Sequence, residues 1–391
     1  MKTTKIMLVG GGSGGHLTPL LAVAAEIKSQ HPNTIVIHVG QKNENLHDVV
    51  GGADIDETYT IIAGKFRRYN GKSILSHLLD VKTVLLNFRD VFRFIAGTFQ
   101  AWRLLGRTKP DSIMLKGGFV CVPVGYAAKI RRIAYITHDS DAVPGLANRM
   151  TAKHAVYNTT ALPAGLYPYE SAKTIQVGIP IRSEFVIVTP DIMRTSKQRL
   201  SINPDAQVLF AVGGGLGAQM INKALVGASL QILSQNSDIV IIHVTGKKLF
   251  TETKQLYSDV LSEEKMKSIK LIDFTTELFR YSSAADVVLT RAGATNIAEF
   301  AAQAKACVVI PAPHLTGGQQ LHNATVLQHA GAAVILQEQE LATLGDVLTN
   351  LLQAPESDRE ILGQKLNSLA VYDSANKLAA LLFEIANNET A

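Results

Sequence analysis

The residues of this chain with the clearest chemical potential lie between positions 286 and 323, where short apolar runs alternate with small and polar residues. Residues 286–289 are long enough for a buried parallel strand, and a helical pattern follows from about Asn296. The turn between them, residues 291–295, consists mainly of small residues, which let a ligand approach the backbone closely. Because helix N-termini bind anions through backbone N–H groups, this turn predicts a phosphate site.

Carboxylate and amide side chains beside that turn suit a sugar. Glu299 is predicted in the first turn of the helix, close enough to accept hydrogen bonds from a sugar diol. After the next apolar run, Gln319 and Gln320 open a further helix, and paired amides suit a ligand with many hydroxyls. Phosphate, ribose and a second sugar together describe a nucleotide-sugar. The alternative is purely local, since Asn296 and Glu299 also have capping-box spacing and the glutamines also suit a polar helix start.

A histidine follows the glycine-rich segment near the amino terminus. Residues 5–9 predict a strand, residues 10–15 read Gly-Gly-Gly-Ser-Gly-Gly, and His16 comes next. A neutral imidazole at a strand end can accept the proton of an attacking hydroxyl or bind phosphate. The glycine run lacks an acidic residue about 20 residues further on, so a nicotinamide cofactor is not predicted.

Two carboxylates follow another predicted strand, residues 133–137. Asp139 and Asp141 flank Ser140, and both are reserve candidates for the base or for a group that orients His16. The same spacing is the D-x-D pattern in which paired carboxylates hold a divalent cation against a donor diphosphate. The sequence leaves the base and the metal interpretations open at this point.

The elements that must position these residues occur twice along the chain. Residues 5–39 read strand, glycine turn, helix and strand, and residues 208–244 repeat that order. We therefore predict two similar α/β domains, each a doubly wound parallel sheet. The predicted domains are residues 1–178 and 179–373, and an amphipathic helix at about 374–391 is expected to pack back on the first.

Composition excludes several classes of protein. The chain has 391 residues, enough for two domains at about 150–200 residues each. No apolar run approaches the ~20 residues of a membrane-spanning helix. Cys121 and Cys307 lie in apolar surroundings, so we expect buried thiols in a reducing compartment. The net charge of +5 is too modest to indicate nucleic-acid binding.

A basic, aromatic-rich region interrupts the first domain at residues 65–109. Its only acidic residues are Asp80 and Asp90, and phenylalanines, leucines and Trp102 alternate with lysines and arginines. One or two amphipathic helices with a basic rim would suit an anionic membrane surface. The alternative is an ordinary core-facing helix with solvated arginines.

Seven motifs together give the chain a specific resemblance over nearly its full length. They are GGGSGGHLTPLLAVA, KGGFVCVPVGYAA, HDSDAVPGLAN, VGIPIRSEF, GGGLGAQMINKAL, TRAGATNIAEFAA and HLTGGQQLHNA. In this order they resemble the MurG family of bacterial glycosyltransferases. The resemblance implies the GT-B fold, in which two Rossmann-like domains face a cleft.

The resemblance also implies the reaction and its setting. These enzymes transfer N-acetylglucosamine from UDP-GlcNAc to N-acetylmuramyl-peptide on undecaprenyl diphosphate, converting lipid I to lipid II in peptidoglycan synthesis. They are inverting enzymes that need no metal or other cofactor. They act as peripheral proteins on the cytoplasmic face of the cell membrane, where the surface is anionic, and bind no nucleic acid in this role.

Site residues follow from matching the motifs position by position. His16 is the implied catalytic base, with Asp139 and Asp141 in reserve. The implied donor-binding residues are Arg182, Gly215, Phe274, Ala294, Thr295, Glu299, Gln319, Gln320 and Asn323. The residues implied to bind the acceptor diphosphate are Ser13, Gly14, Gly15, Gly117 and Gly118.

The chain departs from the family pattern at three places. Gly215 and Leu216 stand where the family usually has Ser-Gln, Asp139-Ser140-Asp141 replaces an acidic-x-Asn sequence, and Phe119 stands where tyrosine is common. Other functions therefore stay open. They are transfer to another lipid such as diacylglycerol, epimerisation of a nucleotide-sugar, and nucleotide-sugar binding without catalysis.

Overall fold

The chain divides into two compact units. The computed structural model describes residues 3–11, 14–42, 54–64, 81–215, 217–236, 238–313 and 318–388. Unit 1 comprises Met1–Arg182 with Val371–Ala391, and unit 2 comprises Ser183–Ala370. The predicted boundary lay at residue 178, so Arg182 falls in unit 1 rather than in the predicted second domain.

Unit 1 is built on a parallel sheet. Its strands are β1 (Lys5–Val9), β2 (Ile35–Gln41), β3 (Glu57–Ile61), β4 (Ser112–Leu115), β5 (Tyr135–Asp139), β6 (Tyr157–Thr160) and β7 (Thr174–Gln176). Their order is β3-β2-β1-β4-β5-β6-β7, and each described pair is parallel. The central strands β1 and β4 are mostly apolar because both faces of such a sheet are covered by helices.

Helices cover both faces of this sheet. They are α1 (Gly14–Gln30), α2 (Val81–Thr108), α3 (Cys121–Arg131), α4 (Leu146–Thr151) and a C-terminal helix (Ser374–Asn388). Ile6 and Leu8 share one core cluster with α1 and the C-terminal helix. Met7 and Val9 share the opposite cluster with α2 and α3. This alternation is the two-residue period of a strand buried on both faces.

Unit 2 repeats the arrangement with a second parallel sheet. Its strands are β8 (Gln207–Val212), β9 (Ile239–Val244), β10 (Ile269–Ile272), β11 (Val287–Thr290), β12 (Cys307–Val309) and β13 (Val334–Ile335). Their order is β10-β9-β8-β11-β12-β13, again with parallel pairs. The helices are α5 (Pro190–Arg199), α6 (Gln219–Gln235), α7 (Phe250–Val260), α8 (Glu263–Met266), α9 (Leu278–Ser283), α10 (Ala294–Ala302), α11 (Gln319–His329), α12 (Leu344–Gln353) and α13 (Glu356–Asn367).

Strand order locates the place where each sheet can bind a ligand. In unit 1 the chain moves outward from β1 through β2 to β3 and then crosses to β4 on the other side of β1. Unit 2 does the same around β8 and β11. Such a reversal leaves a crevice at the carboxyl ends of the two strands, where ligands bind in doubly wound sheets. The crevice segments are residues 10–11, 14–16 and 116–118 in unit 1, and residues 213–215, 217–218 and 291–295 in unit 2.

Most predicted elements are present, with shifted ends. The strand predicted at 286–289 spans Val287–Thr290, and the helix predicted from Asn296 begins at Ala294. Cys121 and Cys307 are free and fully buried, which confirms that part of the thiol prediction. The basic region lies partly outside the described residues, since the structure describes it only from residue 81 onward.

Candidate functional site

The first turn of α1 lies at the crevice of unit 1. The helix begins at Gly14, so Gly14 and Gly15, both predicted to bind an acceptor diphosphate, occupy its first residues. The N–H groups of a helix's first turn point out of its N-terminal end, where they bind anions. Ser13, the third predicted residue of this loop, lies outside the described residues.

The His16 ring packs against the backbone of Gly117. Its Cε1 and Nδ1 atoms lie 3.3 and 3.4 Å from the position that a Cβ on Gly117 would take. Gly117 has a φ of +116°, so a side chain there would be strained as well as crowded. The Nδ1 atom is buried and has no hydrogen-bond partner among the described residues. The structure therefore brings His16 and the 117–118 turn together, and the roles predicted for them stay predictions.

His16 is half-buried, and its surroundings favour the neutral form of its ring. Desolvation, reinforced by the positive charge of Lys116, lowers the pKa of His16 to about 3. A neutral imidazole has one nitrogen lone pair, and that lone pair can accept the proton of a hydroxyl group.

The two glycine segments of unit 1 touch through their backbones. Gly118 has a φ of +84°, and a Cβ there would lie 2.6 Å from the carbonyl oxygen of Gly11. The N–H group of Gly117 already donates to the Cys121 sulfur at 3.2 Å. Burial raises the pKa of Cys121 to about 12, so this thiol stays protonated and serves to hold the turn.

Asp139 is committed to bonds within unit 1. Its Oδ2 atom accepts a hydrogen bond from the Tyr169 hydroxyl at 2.6 Å, and its Oδ1 atom accepts one from the Gly145 N–H at 3.1 Å. Burial raises the pKa of Asp139, and the bonds from Tyr169, Asn148 and Gly145 oppose that shift. Asp139 thus fixes the loop that follows β5. Asp141 is half-buried beside it, and the reserve-base role of both stays a prediction.

His138 and Asn148 belong to this edge but were given no role from the sequence. The Thr159 hydroxyl donates to the Thr137 carbonyl oxygen at 2.7 Å, so His138 Nδ1–H must be the donor in its 3.1 Å bond with Thr159. Asn148 donates to the His138 carbonyl oxygen at 2.8 Å, while its own Oδ1 atom is buried without a described partner. Both residues lie in the HDSDAVPGLAN motif, and their place in that motif is the feature of the sequence that could have identified them.

At the crevice of unit 2, α10 presents its N-terminus. Gly293 is the N-cap residue and no side chain caps the helix, so Ala294 and Thr295 lie in the first turn, as a diphosphate site requires. Glu299 lies in the second turn rather than the predicted first and is only 4% exposed. The capping-box alternative for Asn296 and Glu299 is wrong, because Asn296 is inside the helix.

The residues predicted to read the transferred sugar open α11. Gln319 and Gln320 are its first two residues, after Gly318 at a φ of +63°. The Gln320 Oε1 atom accepts a hydrogen bond from the Ala312 N–H at 2.9 Å, and Asn323 donates to the Ala292 carbonyl oxygen at 3.0 Å. These two amides thus join the start of α11 to the loops after β12 and β11.

The loop after β8 is a tight glycine turn that contains Gly215. Its Gly217 N–H donates to the Gly214 carbonyl oxygen at 2.9 Å, and Gly217 has a φ of +77°. A Cβ on Gly217 would lie 2.1 Å from the Thr245 carbonyl oxygen, so this turn is pressed against the end of β9. Gly215 is exposed within the turn, and Leu216 lies outside the described residues.

We expect Gly217→Ala to destabilise unit 2 by more than about 2 kcal/mol, because it adds both a positive-φ strain and a backbone clash. Gly227→Ala is the matched control, since Gly227 lies in α6 with open space at its Cβ position and should gain about 0.5–1 kcal/mol. Urea unfolding of both variants measures the difference. Equal midpoints would contradict the close contact between the turn and Thr245.

The remaining predicted donor residues are placed unequally. Phe274 follows β10 at the carboxyl edge of the sheet, and the Lys247 ammonium lies 5.0 Å from its ring centroid. Arg182 belongs to unit 1, so its expected contact with uracil stays a prediction.

Arg291, which the sequence analysis included only as part of a turn, has two described partners. It pairs with Glu338 at 2.6 Å and donates to the Ile310 carbonyl oxygen at 3.2 Å. The hydrogen bond joins the ends of β11 and β12, and the ion pair joins the end of β11 to the segment after β13.

Both units match models of a known protein family. Residues 6–157 match the glycosyltransferase family 28 N-terminal domain, and residues 208–378 match the glycosyltransferase family 28 C-terminal domain.

Individual relatives match almost the whole chain. A Coxiella burnetii UDP-N-acetylglucosamine–N-acetylmuramyl-(pentapeptide) pyrophosphoryl-undecaprenol N-acetylglucosamine transferase is 31% identical over 376 residues, covering 96% of this chain and 94% of that protein. A Natranaerobius thermophilus protein of the same name is 30% identical over 338 residues, covering 86% and 87%. The Bacillus subtilis protein of that name is 28% identical over 383 residues, covering 97% and 99%.

Solved structures share the architecture. The crystal structure of Acinetobacter baumannii MurG aligns with a TM-score of 0.69 at 23% identity, covering 98% of this chain and 100% of that chain. A putative UDP-N-acetylglucosamine 2-epimerase from Listeria monocytogenes aligns with a TM-score of 0.64 at 14% identity, covering 97% and 96%. At these identities the similarity concerns the fold alone. The predicted GT-B fold of two Rossmann-like domains is confirmed.

Proposed function

Because this chain belongs to the MurG family within glycosyltransferase family 28, we propose that it transfers N-acetylglucosamine from UDP-GlcNAc to a lipid-linked N-acetylmuramyl-peptide. The proposed acceptor is carried on undecaprenyl diphosphate, as the names of the relatives describe for those proteins. The proposal rests on one observation. Each sheet has, at its own crevice, backbone N–H groups and polar side chains suited to one of the two substrates.

Unit 2 is proposed to bind the donor. The first turn of α10 offers backbone N–H groups to the diphosphate, and the buried Glu299 carboxylate, one further turn along, accepts hydrogen bonds from the ribose diol. Gln319 and Gln320 open α11, where their amides can bind the hydroxyls of the transferred sugar.

Unit 1 is proposed to bind the acceptor and to supply the base. His16 takes the proton of the acceptor hydroxyl as that oxygen bonds to the anomeric carbon and the bond from that carbon to UDP breaks. Negative charge then develops on the departing diphosphate, and the N-terminus of α10 stabilises it. A single displacement of this kind inverts the anomeric centre, so we propose an inverting enzyme.

Metal independence is also part of the proposal. It rests on Asp139, whose two carboxylate oxygens already accept bonds from Tyr169 and Gly145 and so are not arranged for a D-x-D cation site. We expect full transfer activity in excess EDTA. Turnover lost on chelation and restored by manganese would contradict this and return Asp139 and Asp141 to a metal-binding role.

Helix α2 is the proposed membrane contact. Its inner stripe, which includes Ala101 and Leu105, packs in the core of unit 1. A second apolar stripe on the same helix is exposed to solvent and consists of Phe88, Val91, Phe92, Ile95, Phe99 and Trp102. Arg89, Arg93, Arg103 and Arg107 accompany it. The core-facing alternative therefore accounts for one face only, and the exposed face suits peripheral attachment to an anionic, cytoplasmic membrane surface.

Replacing Ile95 with serine is expected to weaken vesicle binding about tenfold, because it removes an aliphatic side chain that would be buried in the bilayer interface. Ile361→Ser in α13 of unit 2 is the matched control, since Ile95 and Ile361 are 58% and 51% exposed. Sedimentation with anionic and neutral vesicles measures both variants. Equal loss in the two variants, or equal binding of the parent to both vesicle types, would contradict this surface as a membrane contact.

None of the described helices is long and apolar enough to span a bilayer.

The proposed function is tested by UDP release from a panel of UDP-sugars, with and without a short-chain lipid I analogue. We expect release only with UDP-GlcNAc and only when the acceptor is present. Consumption of UDP-GlcNAc without any lipid would favour an epimerase or hydrolase. Release that requires diacylglycerol would favour a transferase with a different acceptor.

A further inference from the structure

Lys116 is a buried lysine that has no role in the proposed transfer reaction as described so far. It directly follows β4 at the crevice of unit 1 and is only 2% exposed. Met114 packs in the core cluster that contains α1, and Leu115 packs in the opposite cluster. Strand alternation therefore places Lys116 on the α1 side. Consistent with this, its Cβ lies 3.3 Å from the position that a Cβ on Gly10 would take.

The charge of Lys116 interacts with several titratable groups at this crevice. Burial lowers the pKa of Lys116, while Asp141, Asp139 and Cys121 oppose that shift. Lys116 in turn contributes to the lowered pKa of His16 and of His138, after desolvation. A buried cation is costly unless it is paired, and Asp139 already accepts two hydrogen bonds from other groups.

Two buried atoms near Gly117, the residue after Lys116, have no hydrogen-bond partner in the part of the chain that the structure describes. They are His16 Nδ1 and Asn148 Oδ1, which lie 3.4 and 3.9 Å from the position of a Cβ on Gly117. Buried polar atoms are nearly always hydrogen-bonded in native proteins, so the exception at His16 Nδ1 indicates a place that a ligand completes. Asn148 Oδ1 only accepts hydrogen bonds, so its missing partner is a donor such as a hydroxyl group and not the anion. The first turn of α1 adds outward N–H groups to the same crevice.

We propose that Lys116 is the cation that binds the diphosphate of the lipid-linked acceptor. The assignment of that diphosphate to the acceptor rests on the proposed function, whereas the anion site itself rests on the crevice of unit 1. A lysine beside a glycine turn and a helix N-terminus matches the needs of an anion with several charged oxygens.

Diphosphate binding at Lys116 has a consequence for His16. In the protein without bound diphosphate, the positive charge of Lys116 disfavours the protonated form of His16. The negative charge of a bound diphosphate offsets the positive charge of Lys116. Binding leaves the positions of the other titratable groups near Lys116 unchanged, namely Asp139, Asp141, His138 and Cys121. His16 therefore becomes a stronger base when the acceptor occupies the site, and the proton transfer is coupled to acceptor binding.

The test is calorimetry on the full-length protein saturated with UDP, so that the diphosphate site proposed in unit 2 is already filled. Inorganic pyrophosphate and a short-chain polyprenyl diphosphate are the two probes. Lys116→Met removes the charge at similar side-chain length, and Lys116→Arg keeps it. Lys129→Met is the matched control, because Lys129 is an exposed lysine of the same unit.

We expect Lys116→Met to weaken binding of the probes by about 10- to 100-fold, the range for a lost charge-assisted hydrogen bond. Lys129→Met should leave the affinity unchanged, Lys116→Arg should fall between the two, and UDP affinity should be the same in all four proteins. Tighter binding of the lipid probe would identify the lipid as the source of the diphosphate. Unchanged affinity for both probes in a folded Lys116→Met protein would overturn the proposal, leaving Lys116 to balance Asp139 and Asp141.

A second measurement covers the case in which Lys116→Met does not fold. Parent protein with isotope-labelled lysine is titrated with pyrophosphate, and the Lys116→Arg spectrum assigns the Lys116 signal. That signal should shift on binding, and a signal that stays unchanged at saturation would overturn the proposal. Shifted signals support the anion site even if no sugar transfer to lipid is found, a result that would overturn only the proposed function.

Discussion

Replacing His16 with alanine should lower kcat by about 100-fold or more, the contribution expected of a positioned general base. The reason is structural: the His16 Nδ1 atom is buried at the crevice of unit 1, held against Gly117, and has no described partner. UDP affinity should stay unchanged, because Glu299 and the start of α10 belong to unit 2. The measurement is kcat under saturating donor and acceptor, with UDP binding by calorimetry.

The matched comparison for this result is the pair of carboxylates at the next strand end. Asp139→Ala removes two hydrogen-bond acceptors that hold Tyr169 and Gly145, so its stability must be measured beside its rate. If His16→Ala turns over within a few-fold of the parent while folded Asp139→Ala or Asp141→Ala is inactive, the base is the carboxylate. His16 would then be a contact for phosphate or a hydroxyl.

Replacing Glu299 with alanine should weaken UDP binding by about 1.5–3 kcal/mol, or roughly 10- to 100-fold, through loss of charge-assisted hydrogen bonds to the ribose. Glu299 is 4% exposed and lies one turn beyond the N-terminus of α10, so its carboxylate is held in place before the donor arrives. Calorimetry with UDP measures the effect, and kcat at saturating donor should change much less.

Asn296→Ala is the control for this second prediction, because Asn296 lies in the same helix and has no capping role. It should leave UDP affinity unchanged. Glu299→Gln keeps the size of the side chain and removes its charge, so it should give an intermediate affinity. If folded Glu299→Ala binds UDP as tightly as the parent, the carboxylate does not contact the ribose.

The sheet edges of both units could be predicted from the sequence because their signals are local. Apolar runs such as residues 5–9 and 208–212 end directly in glycine-rich segments. This pattern is typical of a buried parallel strand followed by a turn at the edge of the sheet. The contact between His16 and Gly117 was not predicted, although β1 and β4, the strands that precede them, are neighbours in the sheet.

The engagement of Asp139 could not be predicted, because its partner Tyr169 comes from a segment 30 residues further along the chain. Only the order β5-β6-β7 brings that segment back to the end of β5. The start of α10 was misplaced for a different reason. Asn296 and Glu299 have capping-box spacing, but helical geometry already begins at Ala294, and nothing local distinguishes the two starts.

Lys116 and α2 show a third limit of sequence patterns. A lysine after a short strand is equally typical of an exposed turn, and the burial of Lys116 involves residues far away in the sequence, such as Gly10. Helix α2 carries two apolar stripes, and the sequence cannot tell which of them packs on the sheet. The structure decides this, because Ala101 and Leu105 are buried while Phe92 and Ile95 are exposed.

We propose that the donor-binding residues of unit 2 and the base of unit 1 serve one inverting transfer to a lipid diphosphate acceptor. The most direct test is to identify the product formed from UDP-GlcNAc and a short-chain lipid I analogue. We expect one UDP released for each lipid-linked disaccharide formed, with a β-glycosidic bond made from the α-configured donor. An α-linked product, or UDP released with no disaccharide on the lipid, would contradict it.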